Sequence, residues 1–240
     1  MPAENLPMQR LNSHVKWNRK KTDSMYKLGL LDPPWEYDNK QQHDPKRGGI
    51  TYPTLSMEEL YTLPLGKAFA ADSILFVWVT FPKLVDSFYE QYNPLSIIHH
   101  WGFRPVTVAF VWVKLYARAL KRIPFNLDTE DGSYYHKDDF YSGLGRYTNS
   151  NVEVCIVARK GKGLPRVSKN VKQLIFSPIR SHSAKPQEQY QRIEALYGSM
   201  NPTERIEFFA RKINPPPATW SATGLDYDGV DIKNWIKLYG

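Results

Sequence analysis

An acid stands where a run of apolar residues stops, and two prolines and a tryptophan follow it: Leu30, Leu31, Asp32, Pro33, Pro34, Trp35. Leu28, Leu30 and Leu31 have the spacing of a buried strand, so a strand is predicted to end at Asp32. Proline has a fixed φ and no amide hydrogen. Consecutive prolines are therefore expected to leave two carbonyl oxygens turned outward with no ladder to join, beside a carboxylate that can only accept. Such a row of acceptors next to a flat indole suits a planar group carrying an NH2, and the exocyclic N6 amine of adenine fits that description. The same residues can also form an ordinary strand exit with Trp35 in the core, so the rest of the chain has to decide.

Two further features bear on the chemistry. The net charge is +8, and the basic residues are grouped: Lys16, Arg19, Lys20 and Lys21; Lys114, Arg118, Lys121 and Arg122; Arg159, Lys160 and Lys162; Arg166, Lys169 and Lys172. Grouped cations interleaved with 15 tyrosines and 7 tryptophans suggest a nucleic-acid surface, because phosphates attract the charges and bases stack on the rings. The single cysteine, Cys155, sits in an apolar run and excludes an internal disulfide. The six histidines show no metal-ligand spacing, so no metal is expected. No apolar run is long enough to span a membrane and no signal peptide opens the chain, which suggests a cytoplasmic or nucleoid-associated protein.

The elements that must position Asp32 follow from pattern. A chain of 240 residues fits one α/β domain. Residues 1–26 are polar and basic and read as an N-terminal arm, leaving 27–240 as a single domain. A strand over Lys27–Leu31 leads to a polar stretch, Glu36–Pro53, whose length fits a mobile loop over a site. Ser56 and Glu59 form a capping box that opens a short helix ending near Leu63. Strands are predicted at Ser73–Thr80, Pro105–Lys114, Asn151–Ala158, Gln173–Phe176 and Arg205–Ala210, and helices at Pro82–Tyr92 and Pro186–Tyr197. A short apolar piece at Trp220–Ala222 and an amphipathic one at Val230–Leu238 close the chain. Residues 115–150 lack a period and are rich in Arg, Lys, Tyr, Asp and Gly, as a substrate-gripping insertion would be. Alternating strands and helices argue a mainly parallel, doubly wound sheet, in which ligands bind beyond the carboxyl ends of the strands. Asp32 and Ala210-Arg211 both stand at such ends.

Four stretches in order, Asp32-Pro33-Pro34-Trp35, Thr51–Ser56, Ser181–Pro186 and Ile206–Arg211, resemble the DPPW adenine methyltransferases. That family includes the catalytic subunit of mRNA adenosine methyltransferase and bacterial and phage DNA enzymes. The resemblance runs from about Lys27 to Asp228. It implies an α/β, Rossmann-like fold dependent on S-adenosyl-L-methionine, with the catalytic motif ahead of the cofactor motif. It also implies roles. Asp32, with Pro33, Pro34 and Trp35, is similar to the catalytic motif, Asp32 lying between the cofactor's amine and the target amine. Tyr52 resembles the aromatic at the target base, and Glu153, after Tyr147, an acid near the acceptor nucleotide. Lys185, with His182, is similar to the position that pairs with the cofactor carboxylate. Glu207 and Phe209 stand at the cofactor strand, and Arg211 and Asn214 match ribose contacts. Where the family has Gly-Asn, this chain has Gly224-Leu225-Asp226, and Asp226 is expected to take over the ribose hydroxyls. The compact chain resembles bacterial or phage DNA enzymes more than RNA enzymes, which implies a DNA substrate, the alternatives being an RNA N6-adenosine methyltransferase or a non-catalytic nucleic-acid-binding subunit of the same fold, with a homodimer or a partner subunit left open.

Overall fold

The computed structural model describes residues 25–36, 53–119, 137–143, 145, 147–181 and 184–239. Seven strands form one sheet: β1 Tyr26–Leu31, β2 Phe69–Val79, β3 Arg104–Leu115, β4 Val152–Lys160, β5 Leu174–Pro178, β6 Arg205–Phe208 and β7 Ser221–Thr223. Their order across the sheet is β5-β3-β4-β2-β1-β6-β7. Neighbours run parallel except at β4, which is antiparallel to both β2 and β3. The expected mainly parallel sheet is thus present, with one strand reversed in its middle.

Helices cover both faces. They are α1 Met57–Thr62, α2 Phe81–Asp86, α3 Pro94–His100, α4 Glu188–Tyr197 and α5 Ile232–Tyr239. The sheet's alternation divides the core in two. Tyr26, Leu31, Leu75, Val77, Val79, Ile206 and Phe208 pack with α1, α3 and α5. Leu28, Leu30, Phe76, Trp78, Phe110, Trp112 and Cys155 face the other way, against Tyr190 and Ile193 of α4. Burying each such large apolar side chain contributes about 1.5–3 kcal/mol, so both layers hold the strands in register.

The capping box at Ser56 is formed from both sides: Glu59 N donates to Ser56 Oγ at 3.1 Å, and Ser56 N donates to Glu59 Oε2 at 2.9 Å. The helix expected over Pro82–Tyr92 is corrected. α2 stops at Asp86, and a separate helix starts at Pro94, where Asn93 and Ser96 make a second reciprocal cap. The arm at 1–24, the loop residues 37–52 and most of the 115–150 stretch lie outside the described residues.

Candidate active site

β1 carries the chain to Asp32, and Leu31 pairs with Phe208 on β6 next door. The carboxyl ends of these two strands therefore open on one edge, as do the ends of β2 and β7. β4 reaches the same edge with its beginning, because it runs the other way. Trp112 pairs with Glu153 and Val79 with Val154, which sets Glu153 beside the exits of β2 and β3. Alternation turns Trp78 and Glu207 to the α4 side of the sheet. A cleft there is lined by Leu30, Asp32, Trp78, Lys185, Gln189, Glu207, Phe209, Arg211 and Asn214. Asp32 and Arg211, 179 positions apart in the sequence, share it.

The polar groups of this cleft are linked through Lys185. Its Nζ lies 2.7 Å from Asp32 Oδ2 and 3.1 Å from Glu153 Oε2. Glu153 is bridged on its other oxygen by Lys114 Nζ at 2.5 Å. Burial alone would raise the Glu153 carboxyl, but Lys185 and Lys114 outweigh it and hold it down at about 2. Burial would likewise lower the Lys185 ammonium, and the Asp32 and Glu153 carboxylates outweigh that and raise it. Asp32 differs: burial dominates and lifts its carboxyl above the ordinary range in spite of Lys185. Its side chain is still 24% exposed, so it is reachable from the cleft, and the Lys185 pair uses only one of its two oxygens.

Two expectations about the Asp-Pro-Pro-Trp turn are corrected. The prolyl carbonyls do have amides to meet: Pro33 O accepts from Trp35 N at 2.8 Å and Pro34 O from Leu55 N at 2.9 Å. Leu55 runs alongside Trp35 as a one-residue parallel bridge, which supplies the ladder that the prolines lack among themselves. Each oxygen keeps one further lone pair, so Asp32 is the principal acceptor. Trp35 is a packing residue rather than a platform for a base. It is 4% exposed in the core, and its indole Nε1 donates to Trp78 O at 2.9 Å, tying the turn to β2.

The β6 exit is shaped by backbone. Phe209 has φ of +61°, a left-handed conformation that costs a non-glycine residue roughly 1–3 kcal/mol and is held only by its surroundings. Ala210 N then donates to Thr223 O at 3.0 Å, and a tight turn pairs Arg211 with Asn214. This replaces the strand expected to continue to Ala210. Gly224 supports the turn by having no side chain, since a Cβ there would lie 2.4 Å from Ala210 O. Gly224→Ala is expected to destabilise the protein by about 1–3 kcal/mol and to displace Arg211. Thermal melts and ligand titration on the same variant check both effects.

Asn214 is buried, and its side-chain oxygen accepts from Arg180 Nη2 at 2.7 Å and Gln187 Nε2 at 2.8 Å. With the oxygen so engaged, what Asn214 offers a ligand is its NH2. Asp226, half exposed, lies with Oδ2 3.5 Å from Arg211 Nε. Glu207 accepts from Tyr190 Oη at 2.6 Å, and burial pushes its carboxyl up to about 8. The fold therefore favours the protonated form. That preference is fully present below the ordinary value of 4.5 and is lost as pH rises through about 8. Glu207→Gln is expected to flatten the resulting fall in melting temperature across that window, which a pH series of thermal melts reads directly.

Tyr147 is fully exposed, in the turn closed by the Gly143–Ser150 bridge, and does not line the cleft. Tyr52 and His182 lie outside the described residues. The basic clusters divide. Arg118 stacks 4.5 Å over Tyr116 just beyond the end of β3, on the cleft edge. Arg159, Lys160 and Lys162 sit at the far end of β4, roughly 23 Å from Glu153 at the rise of an extended strand. Residue types alone did not single out Arg180, Gln187, Gln189 or Tyr190 for the site, and they placed Lys114 in a basic group expected to face nucleic acid, whereas it pairs with Glu153. No group of three or more metal-ligating side chains is placed to hold a metal ion among the described residues, and no described helix is long and apolar enough to cross a membrane.

Asp32, ahead of the β6 turn in sequence, thus shares one cleft with Lys185 and Arg211. The sequence profile of MT-A70 matches residues 26–224. The chain belongs to the MT-A70 family. Its sheet, parallel but for β4, is the Rossmann-like arrangement of methyltransferases. Among relatives, it is similar to the type II methyltransferase M.MunI of Mycoplasma sp, with 32% identity over 226 residues that cover 87% of this chain and 78% of that protein. It is also similar to the human N(6)-adenosine-methyltransferase catalytic subunit METTL3, with 28% identity over 203 residues, 85% of this chain but 28% of METTL3. The Drosophila melanogaster MT-A70-like N(6)-adenosine-methyltransferase matches at 26% over a similar span.

Proposed function

We propose that this MT-A70 protein is an S-adenosyl-L-methionine-dependent methyltransferase acting on the N6 amine of adenine in DNA. The observation that carries the reading is the cleft shared by Asp32 and Arg211, with Lys185 bridging Asp32 and Glu153. A carboxylate beside the buried Lys185 ammonium and the partly buried Arg211 guanidinium matches the amino-acid end of the cofactor, which carries an ammonium and a carboxylate. Asp32 is suited to the first, Lys185 to the second, and Arg211 with Asp226 and the Asn214 NH2 to ribose hydroxyls. When bound, the cofactor supplies an electrophilic methyl group.

The residues of the chain do the rest. The lone pair of an adenine amine is delocalised into the ring, so the amine is a weak nucleophile. Asp32, accepting one of its hydrogens beside the Pro33 carbonyl, favours a pyramidal nitrogen and stabilises the positive charge that develops there. Fixing the amine against the Asp32 turn removes much of the entropic barrier. Trp35 and Leu55 keep that turn rigid from behind. A paired base must be extruded first, at a cost of a few kcal/mol; Tyr52 is the aromatic assigned to receive it, and the exposed Tyr147 and the Arg118–Tyr116 stack suit the flanking strand.

DNA is favoured over RNA by the 32% identity to M.MunI, a type II methyltransferase that matches over most of its own length. The likeness to METTL3 supports RNA as the second reading. Transfer of a labelled methyl group to DNA and RNA pools, followed by nucleoside analysis, tests both. N6-methyldeoxyadenosine is the expected product. Label in cytosine would overturn the assignment, and label in RNA alone would replace the first reading by the second.

A further inference from the structure

We propose that Lys114 is a positioning residue for methyl transfer: it fixes the Glu153 carboxylate so that Lys185 stays shared between Glu153 and Asp32. The proposal rests on the methyltransferase reading and adds a residue to it. Lys114 stands one residue before the end of β3, on the α4 side of the sheet with Trp112. Its position and charge alone would suit a phosphate contact. Its surroundings do not: the side chain is 15% exposed, with Nζ 2.5 Å from Glu153 Oε1 and 5.0 Å from the Trp112 ring centroid. A cation this covered and this close to a carboxylate has little to offer a passing polyanion.

The four side chains Lys114, Glu153, Lys185 and Asp32 make a row of alternating sign with no net charge. Glu153 divides its two oxygens between the two lysines, Oε1 to Lys114 and Oε2 to Lys185. Lys185 in turn divides itself between two acids. Without Lys114 the row holds one cation for two carboxylates, Glu153 buried and Asp32 partly so. Lys185 is then drawn toward Glu153, and Asp32 loses part of the partner that sets its position. Glu153 is faced by Lys114 from β3, by Lys185 from the segment ahead of α4 and by Asp32 from β1, with the buried Cys155 two residues along its own strand. Among these, Lys114 and Lys185 alone keep it ionised, so removing Lys114 leaves burial to raise it.

The test compares Lys114→Met, Lys114→Arg and the double variant K114M/E153Q with the wild type. In Lys114→Met, kcat should fall about 10- to 100-fold while KM for the oligonucleotide changes little. The acid limb of the pH profile should move up by at least about one unit. Lys114→Arg should restore both. The double variant should regain the wild-type acid limb because glutamine does not titrate, and with no unpaired charge it stays folded should the single variant fail. The side-chain carboxyl carbon of Glu153, followed by carbon-13 NMR, should titrate well below the ordinary carboxylate range in the wild type and at clearly higher pH in Lys114→Met. An unchanged Glu153 titration overturns the proposal. So does a variant that alters only KM and its salt dependence, which would make Lys114 a phosphate contact. The NMR titration needs no turnover, so a wild type that methylates no adenine overturns the functional reading while the spectrum still decides this one.

Discussion

Asp32→Asn is expected to reduce methyl transfer by at least about 10²–10³-fold, the loss seen when one charge-stabilising group is removed from an active site. The fold should survive, for a specific reason. Lys185 loses Asp32 but keeps Glu153 at 3.1 Å, so no buried ammonium is orphaned, and asparagine fills nearly the same volume ahead of Pro33. Nucleic-acid binding should be largely retained, since the exposed aromatic and basic groups lie outside the Asp32 turn. Single-turnover rates together with a gel-shift series separate the two effects. Retained turnover would remove Asp32 from the mechanism.

Lys185→Met should act the other way, on stability and binding together. It leaves Asp32 and Glu153 with Lys114 as the one remaining cation in the row. Breaking a buried ion pair from one side costs about 3–5 kcal/mol, or a melting temperature roughly 10 °C lower for a chain of this size. S-adenosylmethionine binding, read by calorimetry, should be lost with it. A double variant, Asp32→Asn with Lys185→Met, should recover much of the stability and none of the activity. If the single variant melts like the wild type, the ion row does not hold the cleft in shape.

The contrast between these two variants shows what was legible in the sequence. That Asp32 ends a strand could be read because Leu28, Leu30 and Leu31 set the period and the prolines stop it. The α1 cap could be read because Ser56 and Glu59 carry their hydrogen-bonding in their types. The direction of β4 could not, since an apolar run such as Val152–Ala158 is the same pattern forwards or backwards. Nor could the pairing of Lys114 with Glu153 or of Asn214 with Arg180, which depends on register between segments 39 and 34 residues apart. The second cap, Asn93-Pro94 with Ser96, was in principle readable, and it divides what looked like one helix. The Pro34 carbonyl was misjudged because its partner, Leu55, lies across a loop whose path local chemistry does not dictate.

The reversed β4 has a consequence for how the rim of the cleft is built. Parallel strands hand their trailing loops to the cleft, so altering those loops disturbs the catalytic acid and the ligand-holding turn directly. β4 presents its leading segment instead. Val152 is held by Val113 of β3, and Val154 by Val111 of β3 and Val79 of β2, so Glu153 between them is fixed at the rim by strand pairing on both flanks. On the methyltransferase reading, the acid beside Lys185 thereby owes its place to the sheet itself, and the neighbouring loops do not have to hold it.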